Sequence, residues 1–325
     1  MLFRVFHKNT LVPFALLPFL MGLLWAKALL GEPQVAVPFE VPMPLTELLW
    51  GYINPQSKLL PLISLFLAFL TVYALNRLNT KYVLLRRQSV LPGVVFLVFV
   101  SGYTVVQALN PVWFFTPLFA WALHKLFQGG SKSDASVEVF NMMFLVSVGS
   151  LFFARGLYWV PLLWCGMIVV NIMSLRNFLA SFIGLVLPYF LTFGAYFYMD
   201  RHLELVEVLF ENLLSPAPVF THNGFSKFYN GVMVLLILLG LLATIRQSSS
   251  FKILTRRYYR VMLWLVVYAV FLAATPFFSM ELIPVLGVSV TIILSNYFEA
   301  LKPGLWQNLF FYIFIGMTFL AQLFV

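Results

Sequence analysis

Phe178–Met199 reads FLASFIGLVLPYFLTFGAYFYM: 22 residues without one charged side chain, held between Arg176 and Asp200. Coiled as an α-helix, this stretch is about 33 Å long, enough to cross the hydrocarbon layer of a bilayer. It is apolar on every face, so it does not describe a helix with one side in water. Ten further apolar runs bounded by charges or turn residues flank it: about Leu11–Leu30, Leu59–Leu75, Pro92–Asn110, Val112–Phe127, Val137–Ala154, Leu157–Ser174, Gly231–Ile245, Val261–Pro276, Leu282–Phe298 and Leu305–Val325. The expectation is an all-α, polytopic transmembrane bundle of about 11 helices, a single integral membrane domain over 1–325 with outer loops at about 31–58 and 200–230.

Composition points the same way. Of 325 residues, 62% are hydrophobic and 10% charged, against about 25% charged in a soluble domain. Such a chain lacks the polar side chains to cover a water-facing surface. Arg4 and Lys8 precede the first apolar run and Ala26-Lys27-Ala28 resembles a signal-cleavage site. That run exceeds the 7–15 residues of a cleaved signal, so it reads as a retained helix.

The charge of +9 reads as the cytoplasmic excess of Lys and Arg that orients membrane helices; nucleic acid is not expected as a partner. With the N-terminus inside, the inner segments hold Arg4, Lys8, Arg77, Lys81, Arg86, Arg87, Lys125, Lys132, Arg176, Arg246, Lys252, Arg256, Arg257, Arg260 and Lys302. That is 15 of the 20 basic residues, while eight of the eleven acids fall outside. The C-terminus then lies outside, and the expected location is a membrane crossed many times, with the lipid bilayer as the first partner.

Chemistry-bearing residues are few. No phosphate-binding loop, His-Glu-x-x-His or Gly-x-Ser-x-Gly motif occurs, no metal or cofactor is expected, and the one cysteine, Cys165, reads as a buried small hydrophobe. Arg155 sits at an outer boundary, suited either to holding a phosphate or carboxylate or to snorkelling toward headgroups. Arg201, His202 and His222 share the second outer loop, where they suit pyrophosphate binding or acid–base work, or are plain solvated residues. Glu32, Glu40 and Glu47 occupy the first outer loop, with Glu40 taken as the candidate acid. Multispanning lipid-linked sugar transferases place a catalytic acid in that loop, but as Asp, and this loop has none. Leu203–Glu211 puts acids at i, i+3 and i+7 opposite an apolar face, the pattern of a helix lying in the outer interface or packed over the bundle mouth. Asn110, Asn141, Asn171, Asn177, Asn296, Gln107 and Gln322 read as interhelical hydrogen-bonding groups, and Pro13, Pro18, Pro117, Pro161, Pro188, Pro276 and Pro284 as helix kinks.

Leu75-Asn76-Arg77-Leu78-Asn79, followed by Arg86-Arg87 and Leu91-Pro92-Gly93, forms one motif; Ser174-Leu175-Arg176-Asn177-Phe178 with Ile183-Gly184 and Pro188-Tyr189-Phe190 forms another. On these the chain resembles a Bacteroidota family of polytopic membrane proteins defined as a domain of unknown function. The resemblance runs loosely from end to end. It implies a multi-pass protein of a bacterial inner (cytoplasmic) membrane and brings no catalytic residues. Three functions are open: an envelope-biogenesis enzyme acting on a polyprenyl-phosphate-linked glycan or lipid from the outer face, a non-enzymatic assembly subunit bound to membrane-protein partners, and a transporter or flippase.

Overall fold

The apolar runs form helices throughout, and no strand is present among the described residues. The computed structural model describes residues 11–31, 41–52, 60–217, 220–302 and 304–324. In chain order the helices are α1 (Leu11–Leu24), α2 (Ala26–Leu30), α3 (Pro44–Trp50), α4 (Leu60–Tyr82), α5 (Leu91–Val100), α6 (Thr104–Gln107), α7 (Val112–Gly129), α8 (Ser136–Ser150), α9 (Val160–Val170), α10 (Leu175–Tyr198), α11 (His202–Leu214), α12 (Gly224–Gln247), α13 (Ile253–Ala273), α14 (Ile283–Ala300) and α15 (Leu305–Phe324). Five segments are long and apolar enough to cross a membrane: Leu60–Tyr82, Leu175–Tyr198, Gly224–Ser250, Met280–Ala300 and Leu305–Phe324.

Several expected spans are broken. The run from Pro92 to Asn110 divides into α5 and the single turn α6, because Tyr103 between them is extended. A Cβ on Gly102 would lie 2.0 Å from the Tyr229 hydroxyl, so only glycine lets α12 approach this break. The runs before and after Arg155 become α8 and α9, joined by the 3-10 turn Ala154–Trp159. Prolines account for part of the rest. Pro18, Pro117 and Pro188 lie inside helices. Pro161 and Pro284, read as kinks, instead occupy first turns, where the missing N–H has no partner to lose. Pro276 lies beyond the end of α13.

Packing sets α14 at the centre, against α5, α7, α12, α13 and α15, while α4 bridges α5 and α7. The α10 helix is peripheral: it packs on α8, and most of its apolar side chains stay exposed. Gly184 makes that contact, since a Cβ there would lie 2.4 Å from the Phe140 carbonyl oxygen. Cys165 is on the exposed side of α9, not buried as expected, because Leu162, Leu163, Gly166 and Met167 make the inward face.

The two quoted motifs are joints. Asn76 Oδ1 accepts from the Gly93 amide at 3.0 Å. Asn79 accepts from the Leu85 amide and donates to the Ser89 carbonyl, closing a turn in which Val83 takes φ 48°. Ser174 caps α10 by accepting from the Asn177 amide; Asn177 donates to the Ile172 carbonyl and accepts from Ser136 Oγ; Arg176 pairs with Asp134. Of the amides read as interhelical, Gln322 donates to Leu24 and Ser101 carbonyls, Gln107 to Leu24, and Asn296 to Thr244.

Hydrogen bonds between loops fall into two sets. Arg86 and Arg87 amides donate to Glu299, Arg257 to the Val170 carbonyl, Tyr258 to Phe127 and Tyr259 to Leu84. At the opposite end Thr46 donates to Phe152, Tyr158 to Leu213, Tyr268 to Tyr158, the Ala217 amide to Pro276 and Asn223 to Phe324. The first set lies at the end of the bundle that carries Arg86, Arg87 and Arg257, the second at the end that carries Thr46, Leu213 and Phe324.

Candidate functional site

At the second of these ends, α3 and α11 meet the top of α10. Asp200 adopts φ 57°, a left-handed turn that Asp tolerates, and the Arg201 amide donates back to the Tyr196 carbonyl at 2.9 Å. The chain thus reverses within one turn and brings Arg201 over the Tyr196 ring, 5.4 Å from its centroid. Met43-Pro44 opens α3 with proline in the first turn, and Glu47 closes that turn. The two segments are stitched by Asn212, which accepts from the Val41 amide and donates to the Val41 carbonyl, both at 2.8 Å.

Arg201 joins the charges. It grips Glu204 through two hydrogen bonds, at 2.6 Å and 2.5 Å, and reaches Glu47 Oε1 at 2.9 Å. The Tyr196 hydroxyl donates to Glu47 Oε2 at 2.9 Å. The Arg201 hydrogen bonds hold the Glu204 carboxyl below the usual carboxylate range, and the two acids raise the Arg201 guanidinium. Two adjoining cavities share Pro44, Glu47 and Tyr196. A narrower one of about 180 Å³ runs under Leu205 and Val208; an open one of about 500 Å³ runs toward Leu48, Tyr52 and Met199. The outcome is a cleft with two carboxylates on one guanidinium, apolar and aromatic walls, and an apolar helix face beside it.

The expected site residues do not converge. Arg155 is fully buried, so it neither snorkels nor faces an open site. Its Nε donates to the Asn212 carbonyl (3.1 Å) and its two terminal nitrogens to Phe277 (2.8 Å) and Ser215 (2.6 Å). It fastens the end of α11 and the loop after α13 to the bundle. His202 packs its ring against Phe193 and Phe197. His222 places Nδ1 2.7 Å from Ser226 Oγ, which is 3.0 Å from the Tyr103 hydroxyl; that hydroxyl donates to Asn230. Glu40 and Glu32 lie outside the described residues. Among the described residues no three His, Cys, Asp or Glu side chains gather as metal ligands.

Glu47, Tyr196 and Glu204 are the residues the sequence reading did not single out as a group. Glu204 was visible as the first acid of the amphipathic helix; Glu47 was one of three acids in its loop, and Tyr196 one aromatic among many. The amphipathic segment itself is α11: Leu205 and Asn212 are buried, Glu207 and Glu211 exposed. Leu203, Val206, Phe210 and Leu214 form a further exposed apolar stripe. The helix is thus docked on the bundle mouth and still presents an apolar edge, as an interfacial helix does. No protein-family model, no curated protein and no solved structure matches this chain.

Proposed function

We propose that this chain is a multi-pass protein of a bacterial inner membrane that acts in envelope biogenesis, taking the saccharide part of a polyprenyl-linked glycan into the Glu47–Arg201–Glu204 cleft from the outer face. In this reading it crosses the bilayer about eleven times, the shorter and broken helices included, N-terminus inside and C-terminus outside, and belongs with the Bacteroidota family that its motifs resemble. Support for the orientation is the charge asymmetry, with 15 of 20 basic residues in the segments assigned inside.

The observation that carries the substrate class is the cleft's charge and walls. Two carboxylates share one guanidinium, so the site has no spare cation for a pyrophosphate. Carboxylate oxygens accept from sugar hydroxyls, and Tyr52 and Tyr196 offer rings to a sugar face. The exposed apolar stripes of α10 and α11 suit the polyprenyl chain. Glu47 is in the first outer loop, where lipid-linked sugar transferases carry their acid, and it replaces Glu40 as the proposed site carboxylate.

Glu47→Gln and Glu204→Gln, expressed singly in cells lacking the native copy, test the reading. Each is expected to lower the saccharide product seen by mass spectrometry of the envelope, with membrane abundance unchanged. A wild-type product profile in both variants overturns it. Stoichiometric co-purification with another membrane protein alongside that profile would favour the assembly-subunit alternative.

A further inference from the structure

At the opposite end of the bundle, two stripes face each other across the α4–α7 seam. On α4, Tyr73, Arg77 and Lys81 recur every fourth residue; on α7, Trp121, His124 and Lys125 share a face. Arg77 lies 5.4 Å from the Trp121 ring centre and donates to the Tyr73 hydroxyl at 3.3 Å; the Tyr73 and Trp121 rings stack at 6.3 Å. Lys81 Nζ lies 3.4 Å from His124 Nε2. An ammonium only donates, so that nitrogen accepts. Arg77 and Lys81 are exposed, whereas His124 is buried. The charges of Lys81, Arg77 and Lys125 all bear on the one imidazole.

None of the ion pairs among the described residues includes Arg77, Lys81 or Lys125. Glu138, the carboxylate whose field reaches neighbouring Tyr82, is held by Lys132 at 2.5 Å. Clustered cations repel one another unless an anion joins them. Two exposed rings, Tyr73 and the partly exposed Trp121, mark the depth at which a bilayer interface would lie. Elsewhere at this end, exposed Arg176 has Asp134, and the amides of Arg86 and Arg87 have Glu299. The seam is set apart from the other basic residues at this end by its convergence, two cations, two rings and a buried imidazole within contact of one another.

We infer that Arg77 and Lys81 on the α4–α7 seam bind the phosphate of an anionic phospholipid headgroup, with His124 positioning the Lys81 ammonium and Trp121 and Tyr73 against the glycerol region. The inference does not depend on the outer cleft. Its test uses the full chain in detergent, with phosphatidylglycerol, phosphatidylcholine and inorganic phosphate as probes and native mass spectrometry plus thermal melting as readouts. Wild-type protein is expected to retain phosphatidylglycerol roughly tenfold over phosphatidylcholine, and Arg77→Gln/Lys81→Gln to lose that preference while melting normally without lipid. Lys252→Gln/Arg256→Gln, on the same end, is expected to keep it. Equal retention by the seam variant, or an equal loss in the Lys252/Arg256 control, overturns the inference. Matching stabilisation by inorganic phosphate also overturns it, by showing that a free anion suffices. Should the double variant fail to fold, the charge-keeping Arg77→Lys and the single Lys81→Gln decide: the first is expected to retain the lipid preference and the second to weaken it.

Discussion

Arg155 illustrates what single residues do here. Its guanidinium serves three backbone carbonyls from two distant segments, and hydrogen bonds to a charged group contribute about 1.5–3 kcal/mol each. Arg155→Lys keeps the charge but not the fork, and is expected to lose on the order of 3 kcal/mol, read as a lower melting temperature and reduced abundance. An Arg155→Lys protein that melts as wild type would show that the fork is not structural. Arg201 makes a pH-dependent prediction. The folded pKa of Glu204 is depressed by Arg201, so the pair's stabilisation is complete above the unfolded glutamate value of about 4.3 and disappears as pH falls through the folded value. The melting-temperature gap between wild type and Arg201→Gln should therefore be widest near neutral pH and narrow in acid; a constant gap contradicts the pairing. Val83, β-branched at φ 48° and exposed, carries backbone strain, and Val83→Gly is expected to stabilise by about 1 kcal/mol. At this scale the sequence was least informative. Arg155 is legible as a break between two apolar runs, but its acceptors are main-chain oxygens some 57 to 122 residues away, which no side-chain pattern marks. Glu47 is distinguished from its neighbours only by Tyr196 and Arg201, 149 and 154 residues on.

Elements were far more legible, because their signals are local. The apolar run at Phe178–Met199 lies within α10 apart from its last residue, and the acidic periodicity at Leu203–Glu211 lies within α11. Ser174 and Asn223 cap their helices by accepting from amides three residues on, as their residue types favour. What periodicity does not reveal is where an apolar run breaks for the sake of a neighbour. The extended Tyr103 is needed to place its hydroxyl between Ser226 and Asn230, and Gly102 admits Tyr229; both demands come from α12. The α8–α10 contact is the most exacting such case, since the Phe140 carbonyl is backbone and cannot turn aside. Gly184→Ala is expected to destabilise by about 1–3 kcal/mol, seen as faster proteolysis of the α10–α11 segment in detergent. Unchanged proteolysis and melting would mean that the two helices separate freely.

Across the molecule, the contacts separate two ends of the helical bundle. The segments rich in Arg and Lys bond to one another at one end, and the acidic loops with the Glu47–Arg201 cleft gather at the other. Alternation of basic loops is the sequence signal for such an arrangement, because each crossing that reverses direction leaves a mark in the next loop. The cleft was not readable in the same way, because it is made where two loops some 150 residues apart touch. Placing the cleft outside and the basic seam inside is the claim on which the functional proposal rests. With Cys165 replaced by serine, single cysteines at Glu207, Arg86 and Lys132 can be exposed to a membrane-impermeant maleimide in intact cells. The account predicts labelling of Glu207→Cys before permeabilisation, and of Arg86→Cys and Lys132→Cys only after it. Labelling of Arg86→Cys in intact cells, or of Glu207→Cys only after permeabilisation, would contradict it.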